Sequence, residues 1–185
     1  MAMSNYAVLL RGINVGGKNR VPMVALRESL ESLGFANVST YIASGNVILD
    51  SDMEAEEIRT RIEQTLPERF ELDSELVRVL VLTRVRLQAV IDNRPEGFGE
   101  QSDRFHSDAI FLLDMDSSAA IRLFNPREGV DNLWAGDGVI YSQRLSVQRT
   151  RSRLSRIMAT PEYQSMTIRS WSTTTKILEM LNLQK

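Results

Sequence analysis

The sequence predicts an α+β fold with mainly antiparallel sheets, and three observations carry that prediction. Apolar runs of strand length alternate with segments whose apolar residues recur at steps of three and four. Through residues 1–93 these segments follow the order β-α-β-β-α-β, the ferredoxin-like arrangement, and residues 106–185 trace roughly the same order again, ending in a helix. Between the two halves, residues 94–102 (RPEGFGEQS) are rich in proline, glycine and polar side chains, so a linker is expected over 94–105. The halves share an element order but no visible sequence repeat.

The first strand is expected over residues 6–11, where the apolar run from Ala7 to Leu10 stops at Arg11 and Gly12. Pro22 suits a first helical turn, and Met23, Leu26, Leu30 and Leu33 fall on one face of a helix that Gly34 would end. Residues 38–43 and 47–49 read as strands two and three around a tight turn of Ser44, Gly45 and Asn46. Ser51 and Glu54 have capping-box spacing, Ile58, Ile62 and Leu66 continue a helix at steps of four, and Pro67 is expected to end or kink it. Residues 76–82 make the fourth strand, and a helix with Val85, Val90 and Ile91 follows Thr83.

In the second half, residues 109–113 read as a strand and 117–124 as a short helix closed by Pro126. Leu133-Trp134 and residues 139–141 form a hairpin around Gly136-Asp137-Gly138. A short helix over 150–158, a strand over 167–169 and a last helix over 172–181, with Ile177, Leu178 and Leu181 inward, complete the chain.

Composition narrows the chemistry. With 185 residues, 43% hydrophobic and 25% charged, the chain has the material for a real core in one domain or two small ones. A net charge of -2 argues against a protein whose whole surface grips nucleic acid. There is no cysteine, which removes disulfides, thiol chemistry and thiolate metal sites. His106 is the only histidine, so zinc and haem sites are not expected; no cofactor motif is present, and only an all-carboxylate magnesium site stays open. The N-terminus lacks a basic flank and an apolar stretch, and no run is long enough to span a bilayer, so a cytoplasmic location with no membrane partner is expected.

Functional signals converge on two bends. In the ferredoxin-like order the first strand lies between the third and fourth, antiparallel to the third, so the loop after strand one should meet the turn before strand three. That brings together the charges of Arg11 and Lys18, the amides of Asn14 and Asn46, the Ser44 hydroxyl and the N–H groups of Gly16, Gly17 and Gly45. Such a cluster suits a phosphate or carboxylate. A plain reading stands beside it: Gly16-Gly17 is a turn and Asn46 tolerates positive φ in a hairpin. Residues 12–18 also spell G-x-x-x-x-G-K, the core of a P-loop. Asn19 replaces the magnesium-binding hydroxyl, Pro22 delays the helix, and an antiparallel sheet is the wrong setting.

Other stretches carry weaker signals. In residues 167–176 (TIRSWSTTTK), Arg169 and Lys176 bracket Trp171 and a run of hydroxyls at a helix start, where an anion would be favoured. Alternatively Ser172 or Thr173 caps the helix and Trp171 packs in the core. Residues 138–161 contain no acidic residue but hold Arg144, Arg149, Arg151, Arg153 and Arg156. These could meet nucleic-acid phosphates, or balance the acidic helix of Glu54, Glu56, Glu57 and Glu63. His106, Ser107 and Asp108 are neighbours in sequence, which is not the geometry of a triad. Ala43-Ser44-Gly45 is not a nucleophile elbow.

Three segments, RGINVGGKNRVPM at 11–23, LRESLESLGFANVSTYIASGNVIL at 26–49 and TIRSWSTTTKILEM at 167–180, resemble the bacterial domain of unknown function 1697 family over nearly the whole chain. The resemblance implies a compact α+β protein with two ferredoxin-like halves and no assigned activity. Its motif positions map onto Arg11, Gly12, Asn14, Gly16, Gly17, Lys18, Ser44, Gly45 and Asn46, then Thr167, Arg169, Thr173 and Lys176, with Ser170 where the motif has asparagine. The resulting expectation is an unidentified anionic small molecule at the junction of the two bends, with Arg169, Thr173 and Lys176 contributed by the second half. A nucleic-acid-binding module using the arginines is the alternative, as is a non-catalytic structural or oligomeric protein. Whether a reaction occurs is left open; if one does, the inventory favours electrostatic stabilisation by Arg11 and Lys18.

Overall fold

The computed structural model describes residues 3–73 and 77–184. It divides into two compact units, Met1–Gln88 with Ile177–Lys185, and Ala89–Lys176. Each is built on a four-stranded antiparallel sheet with helices interspersed, an α+β fold.

In the first unit, β1 (Ser4–Arg11), α1 (Met23–Ser32), β2 (Ala36–Tyr41), β3 (Asn46–Ser51), α2 (Ala55–Arg69) and β4 (Arg78–Thr83) give the sheet order β2-β3-β1-β4. β1 is flanked on both edges, which suits its unbroken apolar run. Tyr6, Val8 and Leu10 meet Leu26 and Leu30 of α1 and Ile58, Ile62 and Leu66 of α2 in one core. Leu76, expected to open the fourth strand, lies outside the described residues. The helix α3 (Arg84–Asp92) follows β4, with Leu87 and Val90 buried and Val85 exposed.

Two local expectations fail here for physical reasons. Pro67 does not end α2, which runs on to Arg69. The proline has no N–H to give the carbonyl four residues back, but the ladder continues past it, and Phe70 N donates to Leu66 O at 3.0 Å. The capping box is also absent. Ser51 is the last residue of β3, its Oγ accepts from Met53 N at 3.1 Å, and α2 starts only after Glu54.

The second unit repeats the order. β5 (Phe105–Leu112), α4 (Ser117–Ala120), β6 (Asp131–Gly136), β7 (Val139–Leu145) and β8 (Met166–Ser170) form a sheet ordered β6-β7-β5-β8. The last helix, α5 (Trp171–Leu183), begins at once after β8. The short helix expected over 117–124 is α-helical only as α4, capped by Asp116, and continues as a 3₁₀ turn, Ile121–Leu123. The helix expected over 150–158 is not an α-helix. Between β7 and β8 the chain makes three 3₁₀ segments, Ser146–Arg151, Leu154–Ala159 and Pro161–Ser165. One cause is Asp131, whose Oδ2 takes the backbone N–H groups of Arg127 and Arg153, each at 2.9 Å. The N–H of Arg153 is thereby withdrawn from any helical ladder.

Residues 94–105 belong to the second unit, and Phe98 among them is only 1% exposed. Its ring meets Trp134, Tyr141 and Trp171 edge-on, with centroids 6.0, 5.3 and 5.0 Å away. The Tyr141 hydroxyl donates to Val90 O at 2.6 Å. Among the described residues no helix is long and apolar enough to cross a membrane, and no cluster of side chains could hold a metal ion.

Candidate functional site

Because β1 runs antiparallel to β3, Leu9 lies opposite Asn46 and Leu10 N donates to Gly45 O at 2.8 Å. The two bends therefore touch, as the topology requires. The loop after β1 is itself a small hairpin: Asn14 N donates to Asn19 O and Lys18 N to Val15 O, both at 3.0 Å. Gly16 (φ 59°) and Gly17 (φ 79°) occupy the two turn positions, a left-handed pair of the kind that closes tight hairpins. This is not the loop-to-helix geometry of a P-loop.

One side chain locks the bends together. Asn14 Nδ2 donates to Val21 O at 2.9 Å and to Ala43 O at 2.8 Å, while its Oδ1 accepts from Val21 N at 2.9 Å. Asn19, which the sequence marks only as a departure from a P-loop, is a second tie. Its side chain donates to Gly12 O at 2.7 Å and its backbone N–H to Asp73 Oδ2 at 2.6 Å. In the facing turn, buried Asn46 donates to Tyr41 O and Ser44 Oγ, both at 3.0 Å. Gly45 (φ 80°) is packed so closely that a Cβ there would lie 2.8 Å from Ile13 Cδ1.

The outward side of this junction has a different composition. Gly16, Gly17 and Lys18 are exposed, and the Lys18 ammonium has no side-chain partner among the described residues. Arg11 is half-buried at the strand end and engaged. Sequence reasoning missed Ile42, which is 51% exposed and holds φ at 51°. A β-branched residue in that region costs about 1–2 kcal/mol, and such strain gathers at functional sites.

The motif at 167–176 belongs to the second unit. The cap of α5 is Ser170, not Ser172 or Thr173: its Oγ accepts from Thr173 N at 3.2 Å and donates to Thr173 Oγ1 at 2.9 Å. Asparagine caps equally well, so serine keeps the chemistry of the family motif. Arg169 is 8% exposed; its Nη1 donates to Thr167 Oγ1 at 2.9 Å and Ile168 O at 3.0 Å, and burial pulls its pKa down to about 10. Thr173 is buried and Lys176 half-buried.

Of the five arginines, Arg149, Arg151 and Arg156 are exposed and Arg144 and Arg153 half-buried. The acidic helix does not need them, since Glu56 and Glu57 pair with Arg59 and Arg61 of α2 itself. A histidine–carboxylate pair also forms. His106 Nε2 and Asp108 Oδ1 lie 3.0 Å apart on β5, with Arg144 Nη1 3.8 Å from Asp108 Oδ2. Burial raises the Asp108 pKa, and His106 and Arg144 offset this only in part. Ser107 completes no triad; its Oγ faces Gln143 Nε2 at 3.3 Å.

A protein-family model described as DUF1697, protein of unknown function, matches residues 3–141. The chain belongs to the DUF1697 family. Among solved structures, this DUF1697 protein is similar to the conserved bacterial protein SP0830 from Streptococcus pneumoniae. The two share 27% identity over 97% of this chain and 99% of that one, with a TM-score of 0.80. No curated protein matches the chain. Neither the family nor that neighbour is described by an activity, so function rests on the chemistry of the sites.

Proposed function

We propose that this DUF1697 protein binds a small molecule bearing a phosphate or carboxylate at the rim where loop 11–18 meets turn 44–46. The observation that carries the reading is the Asn14 clamp. Three hydrogen bonds from one side chain fix the two bends, and beside them stand the exposed Lys18 and the Gly16-Gly17 turn. Lys18 supplies a mobile positive charge, the turn supplies backbone donors, and Arg11 adds charge from the strand end. The strain held at Ile42, on the same junction, supports the reading. Asn14, Ser44 and Asn46 act here by positioning, because their polar groups are already occupied with the loops.

Thermal denaturation in inorganic phosphate, citrate and a nucleoside monophosphate, against chloride at matched ionic strength, tests it. One of these anions is expected to raise Tm, by about 2.7 kcal/mol of stabilisation at a hundredfold excess over Kd. Lys18→Ala and Arg11→Ala should each remove most of that gain. A flat response to all three, or a gain that survives Lys18→Ala, would sink the proposal. Salt-steep binding of mixed RNA, insensitive to Lys18→Ala, would instead favour the exposed Arg149, Arg151 and Arg156 as a nucleic-acid face.

A further inference from the structure

The two units repeat one strand order, so their sheets can be compared position by position. Tyr6 pairs with Thr83 at the end of β4, and Asp108 pairs with Ser170 at the end of β8. Asp108 therefore stands where the first unit has Tyr6, and Ile110 and Leu112 stand where it has Val8 and Leu10. In the first unit the fifteen-residue α2 covers this face with Ile58, Ile62 and Leu66. In the second, short 3₁₀ segments take the place of that helix and cover less. Over the Asp108 end of the sheet they leave a cavity of about 290 Å³, at the small end of the range for ligand sites.

The lining is divided by chemistry. Ile110, Leu154, Ile157 and Ile168 make an apolar wall, and Asp108 and Arg144 make the polar end. A carboxylate only 8% exposed on an interior strand is costly unless it is well compensated. Compensation is incomplete: His106 reaches Oδ1 at 3.0 Å, but Arg144 Nη1 stops 3.8 Å from Oδ2, beyond hydrogen-bond reach. Burial holds the Asp108 pKa above its ordinary value in spite of both neighbours. A carboxylate and a guanidinium thus stand side by side without a direct bond, next to an apolar wall, with His106 against the carboxylate and Asp131 opposite Arg144 on the neighbouring strand.

We infer that this cavity binds a small zwitterion, an α-amino acid with an apolar side chain. Its ammonium donates to Asp108, its carboxylate accepts from Arg144, and its side chain lies on Ile110, Ile157 and Ile168. A simple anion would confront Asp108 and a simple cation would confront Arg144, so neither matches the pair. The inference concerns the second unit alone and does not rest on the anion rim of the first.

His106 is the chain's only histidine and lines both this cavity and a neighbouring one beside Gly99, Trp171 and Thr175, so its imidazole NMR signals report on this end of the sheet and Arg144→Gln tells the two cavities apart. The wild-type protein is titrated with leucine, with isocaproate, which lacks the ammonium, and with isopentylamine, which lacks the carboxylate. Leucine should shift the imidazole signals saturably, and each truncated analogue should bind at least tenfold more weakly. Arg144→Gln, with its fold checked by far-UV circular dichroism, should abolish the leucine response. No saturable shift with leucine, isoleucine, valine or methionine overturns the inference. So does an equal response to either analogue. Because the decisive titrations use the wild-type chain, a variant that fails to fold does not rescue it.

Discussion

Gly45 and Gly17 both hold left-handed backbone, yet substitution should separate them. A methyl at Gly45 would meet Ile13 Cδ1 at 2.8 Å and Leu10 Cβ at 2.9 Å, whereas nothing lies within 4 Å of one at Gly17. Gly17→Ala should therefore cost only backbone strain, about 1–2 kcal/mol. Gly45→Ala adds overpacking and should cost about 2–4 kcal/mol. Urea denaturation midpoints at constant m-value would measure both, and equal losses would refute the packing argument. At this scale the sequence placed these polar residues on neighbouring bends but did not show what each one touches. Spacing shows that Asn14 and Lys18 share a loop. It does not show that Asn14 spends its amide on Val21 and Ala43 while Lys18 faces outward. Those assignments depend on atoms twenty-nine positions away.

Elements were legible where the signal was local and obscure where a distant residue intervened. β1 announces itself by an unbroken apolar run, and α2 by Ile58, Ile62 and Leu66. Leu154 and Ile157 also have a helical look, and they do turn inward, but with 3₁₀ geometry. The capture of the Arg153 N–H by Asp131, 22 positions upstream, is invisible to any local pattern. The α5 start makes the opposite point, because its cap is local. Ser170→Ala should cost about 1 kcal/mol through loss of the bond to Thr173 N. Ser170→Asn should be nearly neutral, since either side chain can accept that bond. A thermal melt in which the asparagine variant loses as much as the alanine variant would remove Ser170 from the capping role.

Across the whole molecule, two aspartates should give opposite signatures in the pH dependence of stability. Burial raises the Asp131 pKa, but hydrogen bonds from Arg153 N, Ser152 and Arg127 N outweigh it, and the net shift is downward. Its stabilising contribution is present above the ordinary aspartate range and is lost as pH falls through the folded value. Asp108 is raised, so its relative contribution is full in acid and is lost as pH rises through its folded value. Asp131→Asn should therefore destabilise at about pH 7 and matter little near about pH 3, whereas Asp108→Asn should stabilise at about pH 7 and lose that advantage in acid. Urea unfolding at the two pH values checks both signs. The βαββαβ order, and with it the contact between bends 11–18 and 44–46, followed from topology alone. The burial of Phe98 did not, because a stretch rich in proline and glycine signals turns and says nothing of what a ring within it meets.

The ring cluster has an optical corollary. The chain's two tryptophans, Trp134 and Trp171, both rest edge-on against Phe98, and both belong to residues 89–176. Intrinsic emission excited at the indole band thus has both its sources in that unit, whereas the far-ultraviolet dichroism sums the strands and helices of both.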